Sequence, residues 1–585
     1  MIARMAFLSV GIIVAAAIPG VAAEQPRPRG TDQAVDVTPG RKDATPEPGR
    51  GCAVFATHYL QRGYYTTRPA AGQNVKTIRV FAAPGQYRPA TLSVRAYENM
   101  PRTKVTIGDL RCGPSILSAA HGKVRKVESF NRWLNTGHFM RMEYLLRDQA
   151  VVDVPAATTQ RFWLTVHVPE DARPGIYRGP LSVQCDGRTV AELTLEVEVL
   201  PIKLAAPEGM SYFEYFPAHL PQYAKTKEYQ RKIFEDMRAH GMTTATAYQY
   251  PYLKSDGTWI NLDTELGFRN TLQNLKRAGL PQGDRPLVWI GTAQNGDDRI
   301  YTKVLGDVKK AHGPDLLLYV VDEPDTPERQ QTARAVMAKI DAFRQAHPEW
   351  KVRTVTAIGD KGAAAVGELY DVWIYAAHAV TPTAAERACH AGKELWSYIC
   401  NLCAVDAVNH RYYYGYWAWA AGVKGCANWA YADPHFHTRY DNKLDWDTLA
   451  EHQGEYIPYY CLAMPGPDGP VPTIGWEAVR EGIDDYRYLL TLRKLIDRAR
   501  RQGKTSAADE AEKVLQEVTS RIDVAALGRA GQRVLDDGKV KHIKWPAHFD
   551  RPSPQADLKA EDYDRLRYKV ALAIMQLNKA FEASF

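Results

Sequence analysis

The sequence predicts an α/β protein: a (β/α)8 (TIM) barrel, preceded by an N-terminal β-sandwich and followed by C-terminal helices. Three observations predict it. Short alternating apolar runs separated by Pro and Gly turns fill residues 52–204. After Pro201, apolar strand-like runs alternate with amphipathic helical segments, the rhythm of βα units wound around a parallel sheet. Beyond about Ile474 helical spacing takes over. A chain of 585 residues has room for two or three such domains.

Taken in order, Arg4 precedes an apolar run from Met5 to Val21, which ends in Ala22-Ala23 before Glu24. A charged start, a short apolar core and small residues at a cleavage point make residues 1–23 a signal peptide, so the mature protein is expected to be exported, periplasmic or extracellular. No Cys follows the run, so no lipid anchor is expected, and no other stretch has the apolar length of a membrane span. Residues 24–51, rich in Pro, Gly and charge, read as a linker or lead-in. Residues 52–204 carry strand signals at 77–82, 90–96, 160–168 and 190–200, with Asp186-Gly187 as a hairpin turn. Several short strands at this spacing indicate a sandwich, and nothing in it has a catalytic pattern.

Residues 205–500 are assigned to the barrel. Eight strands are expected at 211–216, 243–249, 286–291, 316–321, 352–357, 372–376, 394–399 and 426–431, with helices at 226–239, 271–278, 302–311 and 328–346 between them. Eight strands with helical crossovers in roughly 230 residues is the size of such a barrel. A C-terminal helical region, 501–585, completes the chain. Helical spacing at 477–502, 507–522 and 560–581 gives helices that buttress the barrel, with their charged faces expected in solvent.

Composition narrows the function classes. Tyr (32) and Trp (13) together outnumber Phe (15), and their flat apolar faces with a polar handle suit stacking under sugar rings as well as barrel packing. The net charge of +7 forms no long basic run, so no nucleic-acid partner is expected. Cys400-x-x-Cys403 lacks a second Cys or His pair at metal spacing, so no metal site is expected.

Reacting groups in such a barrel come from the C-terminal tips of the strands. The fourth strand ends Tyr319-Val320-Val321-Asp322-Glu323-Pro324, and these adjacent carboxylates are the sharpest feature of the sequence. Glycosidic cleavage usually needs two carboxyl groups roughly 5–10 Å apart, often on the fourth and seventh strands. Here the seventh tip, Tyr398-Ile399-Cys400-Asn401, has none, nor has the sixth, Tyr375-Ala376-Ala377-His378. The partner is therefore local, unless Asp433 after the eighth strand supplies it. Adjacent carboxylates suit substrate-assisted hydrolysis of a 2-acetamido sugar, in which the acetamido oxygen attacks the anomeric carbon. One carboxylate then steadies the oxazoline-like intermediate and the other exchanges protons with the leaving group and water. Such a route needs no metal or organic cofactor. Tyr375, Trp396, Tyr398, Asn428, Trp429 and Tyr431 are the expected sugar contacts, with Tyr248 and Tyr250 as weaker candidates and His378 assigned to the surface.

Several of these stretches, in this order, carry a resemblance. Asp322-Glu323-Pro324 is followed by Leu395-Trp396-Ser397-Tyr398, His410-Arg411-Tyr412, Gly425-Cys426-Ala427-Asn428-Trp429-Ala430, and finally the segment from Trp476 to Leu489. From about Cys52 to Leu495 the chain resembles glycoside hydrolase family 123 and relatives sharing its catalytic module. The resemblance implies an exo-acting β-N-acetylgalactosaminidase that retains configuration, with Asp322 holding the acetamido group and Glu323 as general acid/base. The sequence departs at Ser397, where an aromatic residue is expected. Arg480, Glu481 and Asp485 belong to the resemblance and are expected to tie the last helix to the barrel. Two other readings stay open: a glycosidase acting on a sugar without an acetamido group, using Asp433 as nucleophile, and a carbohydrate-binding protein without activity.

Overall fold

The computed structural model describes residues 35–36, 38–40, 51–71, 73–135, 138–219, 224–399, 406–432, 461–527, 555 and 557–582. The expected signal peptide, most of the lead-in, Cys400, Cys403 and Asp433 lie outside the described residues.

The N-terminal region is built from two sheets of six and seven strands. Its sequence alternates as a sheet between a core and a second surface demands. In Arg188–Val199, Leu193, Leu195, Val197 and Val199 face one shared core. From the other sheet, Phe162, Leu164 and Val166 of Thr159–His167 enter the same core beside Leu92 and Val94 of Tyr87–Ala96. Thr159–His167 and Tyr87–Ala96 pair without a break from Thr159↔Arg95 to His167↔Tyr87. Trp163 points the opposite way, into the main hydrophobic core that continues through the barrel's outer layer. The hairpin after Gly175–Cys185 turns on Asp186 and Gly187, both at positive φ (47° and 78°), as expected of a two-residue turn.

Eight parallel strands follow, labelled here β1 (Ser211–Glu214), β2 (Thr246–Gln249), β3 (Leu287–Gly291), β4 (Leu316–Tyr319), β5 (Arg353–Ala357), β6 (Val372–Ala376), β7 (Glu394–Ile399) and β8 (Gly425–Asn428). Hydrogen-bonded ladders run continuously from β1 through β8, β7, β6, β5, β4 and β3 to β2. Between β1 and β2 threonines replace the ladder. The backbone N–H groups of Thr243 and Thr244 donate to the Tyr212 carbonyl, each at 3.0 Å. Thr243 Oγ1 accepts from Tyr212 N at 2.8 Å, and Thr246 Oγ1 accepts from Phe216 N at 3.1 Å. The barrel is therefore nearly closed.

Helices lie between successive strands in the chain: α1 (Lys227–Ala239), α2 (Phe268–Ala278), α3 (Asp298–Lys310), α4 (Pro327–Ala346), α5 (Asp360–Val366), α6 (Pro382–His390) and α7 (Ala407–Tyr412), the last continuing through a π-helical turn, Tyr413–Trp417. Local signals set where they begin. Thr326 caps α4 by accepting from Arg329 N, with Pro327 in the first turn.

Inside the barrel, alternate strand residues form a separate core that includes Phe213, Val288, Leu317, Tyr319, Val355, Ile374 and Trp396. Three further helices, α8 (Ile474–Arg501), α9 (Thr505–Ser520) and α10 (Ala560–Glu582), pack against one another. The expectation that their charged faces lie in solvent fails for α8, whose Glu477, Glu481 and Asp485 are buried. Those groups meet cations from three parts of the chain. Asp485 accepts from Arg411 of α7 at 2.7 and 3.0 Å and from Arg567 of α10 at 2.6 Å. Glu481 accepts from Arg567 and from Arg88 of the N-terminal sheets. Arg480 pairs with Glu477, which also accepts from Arg125 at 3.2 Å. The last signature segment thus binds the sheets, the barrel and α10 together.

Candidate active site

The fourth strand and its exit decide the site. β4 leaves the ladder at Tyr319, two residues before the expected end, because Val321 takes φ 47° and Glu323 φ 43°. A left-handed β-branched residue is strained, and the surrounding bonds hold it in place. The Val321 carbonyl accepts from Thr356 Oγ1 at 2.6 Å, and Glu323 N donates to the Ala357 carbonyl at 3.0 Å. From the first turn of α4, Arg329 Nη1 donates to the carbonyls of Asp322 and Glu323 at 3.4 and 3.2 Å. The two turns give the adjacent side chains separate partners. Asp322 Oδ1 accepts from Tyr319 Oη at 2.5 Å, whereas Glu323 Oε1 accepts from Tyr398 Oη at 2.8 Å.

The electrostatics of Asp322 follow from its neighbours. Burial first, and the adjacent Glu323 carboxylate second, raise its pKa to about 6, while the Tyr319 hydrogen bond and Arg329 pull the other way. Asp322 thus sits near its titration point at mildly acidic pH, a perturbation that clusters at functional sites.

The expected sugar contacts divide by strand alternation. Tyr398 belongs to the barrel interior and reaches Glu323. Trp429, just beyond β8, packs at 5.5 Å from Tyr215 and 6.3 Å from Tyr248, forming an aromatic wall of the mouth. Trp396 is inside the barrel but two residues deeper than Tyr398, against Phe213 at 5.6 Å, so it fills the interior below the tip. Asn428 is fully buried at the end of β8, where its backbone N–H donates to Glu214 at 3.0 Å.

Two of the contacts are corrected. Tyr375 faces the outer helical layer beside Trp373, and its hydroxyl donates to Asp360 at 3.2 Å. Tyr431 also joins the outer core, donating to Asp236 of α1 at 2.7 Å and packing on Trp476. Each follows an inward-facing residue by one position, and a one-residue step along a strand reverses the side chain. The same parity places Ser397, between inward-facing Trp396 and Tyr398, on the outer face, so its departure from the aromatic pattern does not alter the mouth.

Sequence reasoning missed Tyr319 and Tyr215. Both lie on the inward parity of their strands, Tyr215 one residue past β1, which is the signal that would have identified them. Tyr248, a weaker candidate, belongs with them, while Tyr250 packs against His219 at 5.1 Å and His378 is exposed. Glu214, the buried acid of β1, has the opposite parity: it accepts from Tyr414 of the π-helical turn at 2.6 Å. It is fixed behind the barrel wall.

The chain is similar to known proteins in part of its sequence and in its fold. Residues 308–492 match the family model described as glycoside hydrolase 123, catalytic domain, a span that contains β4, the Asp322-Glu323 tip and most of α8. Comparison with the curated proteins gives no match. Among solved structures, the chain is similar to a family 123 glycoside hydrolase from Clostridium perfringens, at 12% identity and a TM-score of 0.61, over 80% of this chain and 92% of that one. A family 39 glycoside hydrolase from Bacteroides cellulosilyticus aligns at 12% identity over 65% of this chain and 81% of that one, with a TM-score of only 0.31. In sequence over residues 308–492 and in fold across most of its length, the protein is similar to glycoside hydrolase family 123.

Proposed function

We propose that this protein is an exported, exo-acting glycoside hydrolase of the β-N-acetylgalactosaminidase type, retaining configuration through substrate assistance. The observation that carries the reading is the Asp322-Glu323 tip, where adjacent carboxylates are held by different tyrosines. In the proposed reaction the acetamido carbonyl oxygen attacks the anomeric carbon as the glycosidic C–O bond breaks. Glu323 gives its proton to the departing oxygen, and ionised Asp322 accepts the acetamido N–H as positive charge grows on the oxazoline ring. Glu323, now a carboxylate, takes a proton from water whose oxygen attacks the same carbon and reopens the ring. Configuration is retained because the carbon is inverted twice.

Trp429 and Tyr248 suit the apolar face of the sugar ring in this scheme. The buried Trp429 Nε1 has no partner among the described residues, which supports a polar ligand atom there. The test is release of nitrophenol from aryl β-N-acetylgalactosaminide and its gluco isomer, with Glu323→Gln alongside. The expected result is turnover of the galacto substrate that the variant loses, together with inhibition by a thiazoline mimic of the intermediate. Undiminished activity in Glu323→Gln refutes the assignment. Turnover only of sugars without an acetamido group, insensitive to thiazoline, refutes the substrate-assisted route.

A further inference from the structure

Tyr319 reaches Asp322 from inside the barrel, on the side away from the mouth. It is 4% exposed, on the inward parity of β4 among Tyr215, Val355 and Ala357. Its hydroxyl makes two bonds that fix its single proton. The oxygen accepts from the Ala357 backbone N–H at 3.2 Å, so the hydrogen is left to point at Asp322 Oδ1, 2.5 Å away. The donor comes from β5, and β4 and β5 are paired at Tyr319↔Val355. The orientation of the hydroxyl is therefore set by the sheet itself and not by a mobile loop.

We propose that Tyr319 is a positioning residue for the hydrolysis: it keeps Asp322 ionised and occupies Oδ1, so that Oδ2 is the oxygen presented to the substrate. The inference rests on the reaction proposed above and deepens it. Among the described residues, the other charged groups near Asp322 act with either sign. Glu323 beside it and Asp325 beyond oppose its ionisation, and Arg329 from α4, which also donates to the backbone carbonyls of Asp322 and Glu323, favours it. Tyr370, from the connection between β5 and β6, is a neutral neighbour whose own hydroxyl is pushed up by burial and by Asp322. Tyr319 thus donates a hydrogen bond to this carboxylate that offsets burial and the adjacent acid, in the same direction as the Arg329 charge. Burial holds its own hydroxyl protonated, which keeps it a donor across the working range.

Tyr319→Phe removes the oxygen and keeps the ring. A hydrogen bond to an ionised group shifts a titration midpoint by about 1–2 pH units. The expected outcome is an acid limb of kcat/KM that moves up by about that amount, with the rate recovering towards wild type above the new limb. A residue that serves packing alone lowers the rate by the same factor at every pH, and that outcome overturns the proposal, as does an unmoved limb. A second measurement does not depend on turnover. With 13C-carboxyl-labelled aspartate, the resonance that Asp322→Asn removes is titrated in the wild-type protein and in Tyr319→Phe. An upward shift of its midpoint supports the role of Tyr319 even if no acetamido sugar is hydrolysed, in which case it is the proposed reaction that fails. An unchanged midpoint overturns the role of Tyr319 whatever the substrate.

Discussion

Replacing Asp322 by Asn should make the protein more stable, and only where the carboxyl is charged. Folding raises this group from an ordinary value of 3.8 to about 6, through burial and then through Glu323. Each unit corresponds to about 1.4 kcal/mol, so holding the ionised group in the folded protein costs about 3 kcal/mol. The sign follows from proton counts. Between pH 4 and 6 the folded chain binds more protons here than the unfolded chain, so wild-type stability falls as pH rises through that window. Below about pH 4 the carboxyl is neutral in both states and the penalty vanishes. An Asn side chain accepts the Tyr319 hydrogen bond without the charge, so the variant should escape the penalty. Thermal unfolding at pH 7.5 should show a midpoint about 2–3 °C above wild type. The gain should shrink steadily as the pH is lowered towards 4, while turnover is lost throughout. A gain of equal size at both pH values would assign the effect to packing. A variant less stable than wild type at pH 7.5 would refute the reasoning, because Asp322 would then be stabilising as an anion.

Two other perturbations probe the surroundings. Tyr398→Phe deprives Glu323 Oε1 of its 2.8 Å donor, and a hydrogen bond to a charged group is worth about 1.5–3 kcal/mol. Steady-state kinetics should show kcat reduced by roughly 10- to 100-fold with a smaller change in KM, and a kcat within twofold of wild type would exclude Tyr398 from aligning Glu323. Arg411→Met leaves Asp485 and Asp564 facing an apolar chain where they accepted from a guanidinium at 2.7 Å. Breaking a buried pair from one side costs about 3–5 kcal/mol, so the urea midpoint should fall sharply at pH 7. Burial opposes the Asp564 charge, but Arg88 and Arg411 outweigh it and hold that carboxyl well below the ordinary range. The loss should therefore diminish in acid, and an unchanged midpoint at pH 7 would refute the bridging role of Arg411.

The barrel was legible because its strands are short apolar runs set between amphipathic helices. Six of the eight expected strands differ from the observed ones at an end, and for physical reasons that hydropathy does not encode. Val320 and Val321 are as apolar as the strand before them, yet β4 ends at Tyr319 because positive φ at Val321 turns the chain. Thr243 to Ala245 precede β2 because hydroxyls and amides there close the seam with β1 in place of a ladder. The placement of the candidate site was legible to the same depth. Asp322 and Glu323 could be placed by their position after an apolar run. Which aromatics join them depends on parity, and a list of residues near a strand tip mixes both faces. Tyr398 and Trp429 reach the mouth, Tyr375 and Tyr431 do not, and Tyr319 escaped notice because it lies before the carboxylates.

The stretch of α8 that carries part of the resemblance plays a different part from the candidate site. Glu477, Glu481 and Asp485 are buried in α8. Acids in such a place are tolerable only if every charge is met, and the partners come from distant parts of the chain: Arg88 and Arg125 from the N-terminal sheets, Arg411 from α7, Arg567 from α10. Replacing one member strands the others, which ties these positions to one another more tightly than apolar packing would. Arg411 lies on the connection between β7 and β8, the strands that deliver Tyr398 and Trp429 to the mouth. The charge network therefore anchors the helical crossover behind the aromatic half of the site. The strained turn at Val321 and Glu323, braced by Thr356, Ala357 and Arg329, fixes the carboxylate half. Tyr398 joins the two by a hydrogen bond to Glu323, and the alignment of the carboxylates with the aromatic wall depends on both anchors at once.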